Sequence, residues 1–142
     1  MFSKLFKKQQ EDQRSTAHLL NYNGKGSYIK SFDKSNFGVV FEDDGETGYL
    51  YATDKNHKNI YDALQLYNYG DNNHPKLGET IFIIFNEALK KVGFYYKDKF
   101  HAVLDFKNER GSNLLNTPIL ETAIWKKSHA WGANVIDGLQ PQ

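Results

Sequence analysis

The chain has 142 residues, 39% hydrophobic, 15% aromatic and 25% charged, with 18 lysines and arginines against 17 aspartates and glutamates. That length fits one domain able to bury a core without staples, and the aromatic content with little net charge excludes a disordered chain. The charge balance supplies no global attraction to nucleic acid, and the absence of cysteine excludes disulfides, thiolate zinc sites and a cysteine nucleophile.

Residues 1–20 read as a basic, partly flexible N-terminal leader. Phe2, Leu5 and Phe6 fall at helical spacing among Lys4, Lys7 and Lys8, the pattern of a short amphipathic helix or a frayed segment. No long apolar run marks a secretory signal and no window reaches the length of a membrane span, so a cytoplasmic location is expected. Residues 21–142 read as a single domain. Gly24 and Gly26 open it in a turn-rich stretch that lacks the Gly-Lys-Ser/Thr of a phosphate loop. Residues 27–32 then suit an edge strand.

The most distinctive text follows. Two β-branched and aromatic runs, near 37–42 and 47–53, flank a cluster of turn formers, the pattern of a β-hairpin. Its turn concentrates Glu42, Asp43, Asp44 and Glu46, and its return strand puts Tyr49 and Tyr51 on one face, opposite Leu50 and Ala52. Apolar groups on both faces predict a central pair of strands. Farther on, Ile60, Ala63, Leu64 and Tyr67 match a helical template, while 65–69 alternates; one helical turn over 59–63 leading into a strand over 64–69 is expected.

Residues 79–106 predict a three-stranded antiparallel meander, with turns at 86–88 and 97–98. Its last strand alternates strictly: Phe100, Ala102, Leu104 and Phe106 on one face, Lys99, His101, Val103 and Asp105 on the other. Beyond it, Thr117-Pro118 resembles a helix N-cap followed by proline at the first helical position, with Ile119, Leu120, Ala123 and Ile124 as an apolar stripe. A second short helix is expected from Ser128 or His129 onward. The fold class expected is therefore α+β, an antiparallel sheet of about five or six strands with short C-terminal helices on one face.

The run Phe-Glu-Asp-Asp-Gly-Glu-Thr-Gly-Tyr-Leu-Tyr-Ala at 41–52, together with 62–68 and 101–106, resembles a family of small uncharacterised bacterial proteins, the domain of unknown function 2251. The likeness covers roughly residues 35 to 110. It implies a bacterial origin and a single domain, and it brings no catalytic residues with it.

The acidic turn has the residue types of a cation site, but it is too short for the twelve-residue register of an EF-hand, and no metal or other cofactor is expected. A solvated turn is its plainest reading. Glu42, Asp43 and Glu46 exceed what turn geometry requires, so they are the binding candidates, with Asp44, Tyr49 and Tyr51 beside them. They suit a protein partner with a basic surface, an immunity-like role being one version. A rival is a small hydrolase with His101 as general acid or base. His101 and Asp105 lie about 13 Å apart along a strand, so they cannot pair directly, and another carboxylate such as Glu109 would have to be brought in by the fold. A third reading is a tyrosine-walled sheet that binds a small ligand. No RNP-like sequence or excess positive charge supports a nucleic-acid partner.

Overall fold

A computed structural model describes residues 15–34 and 36–140. Among these residues nine strands form two antiparallel sheets. The four-stranded sheet is a meander of β2 (Ser27–Lys34), β3 (Phe37–Asp44), β4 (Thr47–Thr53) and β5 (Ile60–Asn68). The five-stranded sheet joins β1 (Thr16–Asn21) to a second meander of β6 (Thr80–Asn86), β7 (Lys91–Tyr96), β8 (Lys99–Asp105) and β9 (Arg110–Asn113), in the order β1-β6-β7-β8-β9.

One core lies between the sheets. Val39, Phe41, Leu50 and Leu64 from the first sheet meet Ile83, Phe85, Phe94 and Leu104 from the second. Period-two alternation produces this directly: Val39 and Phe41 turn inward with Leu50 and Ala52, while Val40, Glu42, Tyr49 and Tyr51 turn outward. A smaller cluster of Ile84, Phe100, Val103 and Leu139 covers the outer face of the five-stranded sheet, with Trp131 and Val135 packed against it. The C-terminal segment thus forms a third layer. Its end is tied to the start of β1, where Ser15 Oγ donates to the Gly138 carbonyl at 3.0 Å and the Gln140 N–H donates to Ser15 Oγ at 3.1 Å.

The α+β expectation is overturned. The described residues contain no α-helix, and the hairpin and the meander belong to different sheets rather than to one. The stretch from Ile60 misleads because β5 pairs with β4 through two irregularities that leave Tyr61 and Leu66 without partners. Each bulge adds a residue to the strand, so inward positions such as Leu64 and Tyr67 fall three apart and imitate a helical repeat.

The C-terminal helices fail for a different reason. Thr117 does not cap a helix. Its N–H donates to Asn113 Oδ1 at 3.2 Å, and its Oγ1 accepts from Asn113 Nδ2 at 2.7 Å. The Ile124 and Trp125 N–H groups donate to the Ile60 and Tyr61 carbonyls on β5, and residues 132–139 form successive one-turn bonds from i+3 to i. Those turns reproduce a three-residue apolar spacing without a helix.

The helical or frayed reading of the leader falls mainly on residues 1–14, which lie outside the described residues; Thr16–Asn21 is strand. Among the described residues no helix is long and apolar enough to cross a membrane.

Candidate functional site: the acidic hairpin and its aromatic face

The four carboxylates of the hairpin do not form one cluster. Strand parity divides them. Asp43 points inward and is 1% exposed, Glu42 points outward and is partly exposed, and Asp44 and Glu46 are exposed at the turn.

Asp43 is fully engaged. Its Oδ2 accepts hydrogen bonds from the Tyr67 and Tyr69 hydroxyls, both at 2.6 Å, and its Oδ1 accepts from the Gly45 N–H at 2.8 Å. Tyr69 gives its hydrogen to Asp43, so Tyr22 is the donor in the 2.6 Å contact between their hydroxyls. Burial and then the hydrogen bond to Asp43 hold both the Tyr67 and the Tyr69 hydroxyl well above the usual tyrosine range. Gly48 makes room for this arrangement, since a Cβ there would meet the Tyr67 ring at 2.4 Å. Asp44 has the local task of ordering the turn: its Oδ1 accepts from the Glu46 and Thr47 N–H groups at 2.9 and 2.8 Å, and these bonds lower its carboxyl pKa.

The outward face is different in kind. Tyr49 and Tyr51 stack with ring centroids 5.8 Å apart and planes at 27°. Glu42 stands opposite Tyr49 in register and accepts a hydrogen bond from the Tyr51 hydroxyl at 2.9 Å. Burial and that bond push the Tyr51 hydroxyl above its ordinary range. Ile29, opposite Glu42 on β2, is 68% exposed, and Val40 lies opposite Tyr51. This face therefore presents two rigid aromatic rings and two aliphatic groups around an acceptor carboxylate.

His101 is enclosed within the five-stranded sheet. It is 5% exposed, its ring stacks on Tyr96 at 3.8 Å, and its Nε2 bonds the Tyr96 carbonyl at 3.0 Å. Burial pushes its pKa down to about 4, against the opposing effect of that carbonyl. The alternation read for β8 breaks here. Phe94 pairs with Ala102 and Tyr95 with Phe100, so His101 is the extra residue of a bulge, and Phe100 joins Val103 on the outer side. Asp105 is held elsewhere, accepting from the Asn108 N–H at 3.1 Å and from Asn108 Nδ2 at 2.8 Å. The fold does not bring it or Glu109 into a hydrogen bond with His101.

A buried pair escaped the sequence reading. Asp62 Oδ1 and His129 Nε2 are 2.8 Å apart, and both side chains are 0% exposed. His129 Nδ1 bonds the Thr117 carbonyl at 2.8 Å, and Asp62 Oδ1 also accepts the Ala63 N–H at 2.9 Å. Among the described residues Asp62 Oδ2 has no hydrogen-bond partner, and it faces Gly111, where a Cβ would stand 2.5 Å away. A carboxylate inside the apolar run Ile60-Tyr61-Asp62-Ala63-Leu64 is the one sequence signal for it. His129, in an irregular segment, carries none. Zero exposure keeps the pair from touching a substrate; it fastens the C-terminal segment to β5. Among the described residues no three His, Asp or Glu side chains converge to hold a metal ion.

The hairpin text that organises this site also bears on the chain's kinship. The profile of a family described as "Uncharacterized protein conserved in bacteria (DUF2251)" matches residues 21–140. The chain belongs to this family. A relative of this DUF2251 chain, named only as an uncharacterized protein of Haemophilus influenzae, is 37% identical over 79 residues, covering 54% of this chain and 49% of the relative. The match thus spans about half the length of that curated relative. No solved structure matches the chain.

Proposed function

We propose that this member of DUF2251 is a non-enzymatic bacterial cytoplasmic protein that binds another protein through the outward face of β2–β4. The observation that carries this reading is the composition of that face. Tyr49, Tyr51, Ile29 and Val40 supply contact area, and Glu42 supplies a charged acceptor among them. Tyrosines lose little conformational freedom on binding and are enriched where binding energy concentrates. The exposed carboxylates of Asp44 and Glu46 lie at the end of the same hairpin, so the partner is a protein with a basic rim around an apolar patch. Asp43 takes no part in the contact because its oxygens are committed inside.

The test is a Glu42→Lys/Glu46→Lys variant of the full chain. It should lose a basic partner that the unaltered chain retains on affinity capture from its bacterial cell, while its circular dichroism is unchanged. Equal retention by the variant contradicts the reading.

A further inference from the structure

The outer face of the five-stranded sheet carries a second constellation, independent of the hairpin. Antiparallel register sets Lys91, Asp105 and Arg110 in one row across β7, β8 and β9, with Val103 and Ser112 in the next row. Residues 132–135 and Asp137 of the C-terminal segment, together with Asn108 and Lys127, complete a cleft of about 790 Å³. That volume falls in the usual range of small-molecule sites.

The charges of the cleft are unbalanced and partly unused. Lys91, Lys107, Arg110 and Lys127 line it, against Asp105 and Asp137. Lys91 Nζ is occupied with the carbonyls of Val135 and Asp137, at 3.1 and 3.0 Å, which pins one wall. Lys127 Nζ is bonded to the Asn108 carbonyl. Asp105 accepts a hydrogen bond from Asn108 at each of its oxygens. Among the described residues the only ion pairs are those of His57 and His129, so neither Arg110 nor Lys107 has a carboxylate within 4.0 Å. Among the described residues these two cations have no ion-pair partner, yet they share a concave wall.

An arginine fork is matched in shape to phosphate and carboxylate oxygens, and cations gathered in a cleft raise the local concentration of anions. The aliphatic groups of Leu89, Val103 and Val135 line the same cleft and suit an organic body. We propose that this cleft binds a small organic molecule bearing a phosphoryl group, whose oxygens are held by Arg110 and Lys107 with the Ser112 hydroxyl beside them.

Pyrophosphate is the probe, titrated at constant ionic strength into the isotope-labelled full chain while backbone amide shifts are followed. Saturable shifts confined to Arg110, Ser112 and residues 132–135 are expected. Arg110→Gln and Lys107→Gln should each weaken the apparent affinity about tenfold, as loss of one charge-assisted contact does. Lys30→Gln, on the other sheet, should leave it unchanged. Shifts that never saturate, shifts spread over lysines elsewhere, or undiminished affinity in Arg110→Gln would overturn the proposal. None of these outcomes depends on a protein partner at the hairpin face.

Discussion

Asp62 and His129, 67 residues apart in the chain, meet at 2.8 Å with neither side chain exposed. The ring faces two acceptors, the Asp62 carboxylate and the Thr117 carbonyl. The ring thereby joins β5 to the segment around Thr117.

Asp62→Ala removes the carboxylate outright. The same Oδ1 contacts the ring nitrogen and accepts from the Ala63 N–H, so the substitution strips both of a partner. Removing one member of a buried pair costs about 3–5 kcal/mol. Chemical denaturation of Asp62→Ala and of His129→Ala should each show a loss of that order, with the C-terminal segment gaining amide exchange before the sheets do. A loss below about 1 kcal/mol would mean that the pair is dispensable.

The Asp43 network should behave as a unit. Asp43→Asn puts an amide NH₂ either against the two tyrosine hydroxyls or against the Gly45 N–H, since all three neighbours are donors. A cost of about 2–3 kcal/mol follows from leaving a buried donor unpaired. Tyr69→Phe removes the hydroxyl that links Asp43 to Tyr22 and should cost about 1 kcal/mol. The two effects should be less than additive in a double-mutant cycle read by urea unfolding. Asp43→Lys is consequently a folding mutation, and charge reversal aimed at binding belongs at Glu42 and Glu46.

His101 predicts an acid-sensitive fold. Its pKa is about 4 in the folded chain against 6.5 for the free group, so between those values the unfolded chain binds more protons. Stability is then full above pH 6.5 and declines as the pH falls toward 4. The contribution amounts to about 3 kcal/mol at most, because each tenfold change in proton affinity is worth about 1.4 kcal/mol. His18 is lowered as well, by burial and then by Lys34, and adds in the same direction. His101→Phe keeps an aromatic ring on Tyr96 and removes the titration. Its unfolding free energy should vary less between pH 6.5 and 4 than that of the unaltered chain. Parallel pH profiles would show that His101 does not titrate on unfolding.

The parts of this fold legible in the sequence are those where residues two apart do the same job. The inward Val39, Phe41, Leu50 and Ala52 and the outward Tyr49 and Tyr51 follow from that periodicity alone. What escaped it are insertions and long-range closures. The bulges that leave Tyr61, Leu66 and His101 unpaired change which face the following residues occupy. A bulge is fixed by the partner strand, which local periodicity does not contain. The C-terminal segment presents a three-residue apolar spacing that a helix and a train of single turns share. Bonds to distant residues decide between them: the Ile124 and Trp125 N–H groups donate to β5, and the Val135 and Gly138 carbonyls accept from Lys91 and Ser15. For the candidate site, the density of carboxylates was visible, but the burial of Asp43 depends on Tyr67 and Tyr69, 24 and 26 residues farther on.

The most direct measurement of the protein-binding face is site-specific photocrosslinking in the bacterial cell, with the photoreactive residue placed at position 49 and, for comparison, at Lys76, an exposed residue outside the two sheets. The expected result is a discrete adduct with one basic protein from position 49, absent from position 76 and lost when Glu42→Lys is added. Adducts equal at both positions, or an adduct at position 49 that survives Glu42→Lys, would contradict a partner held by this face.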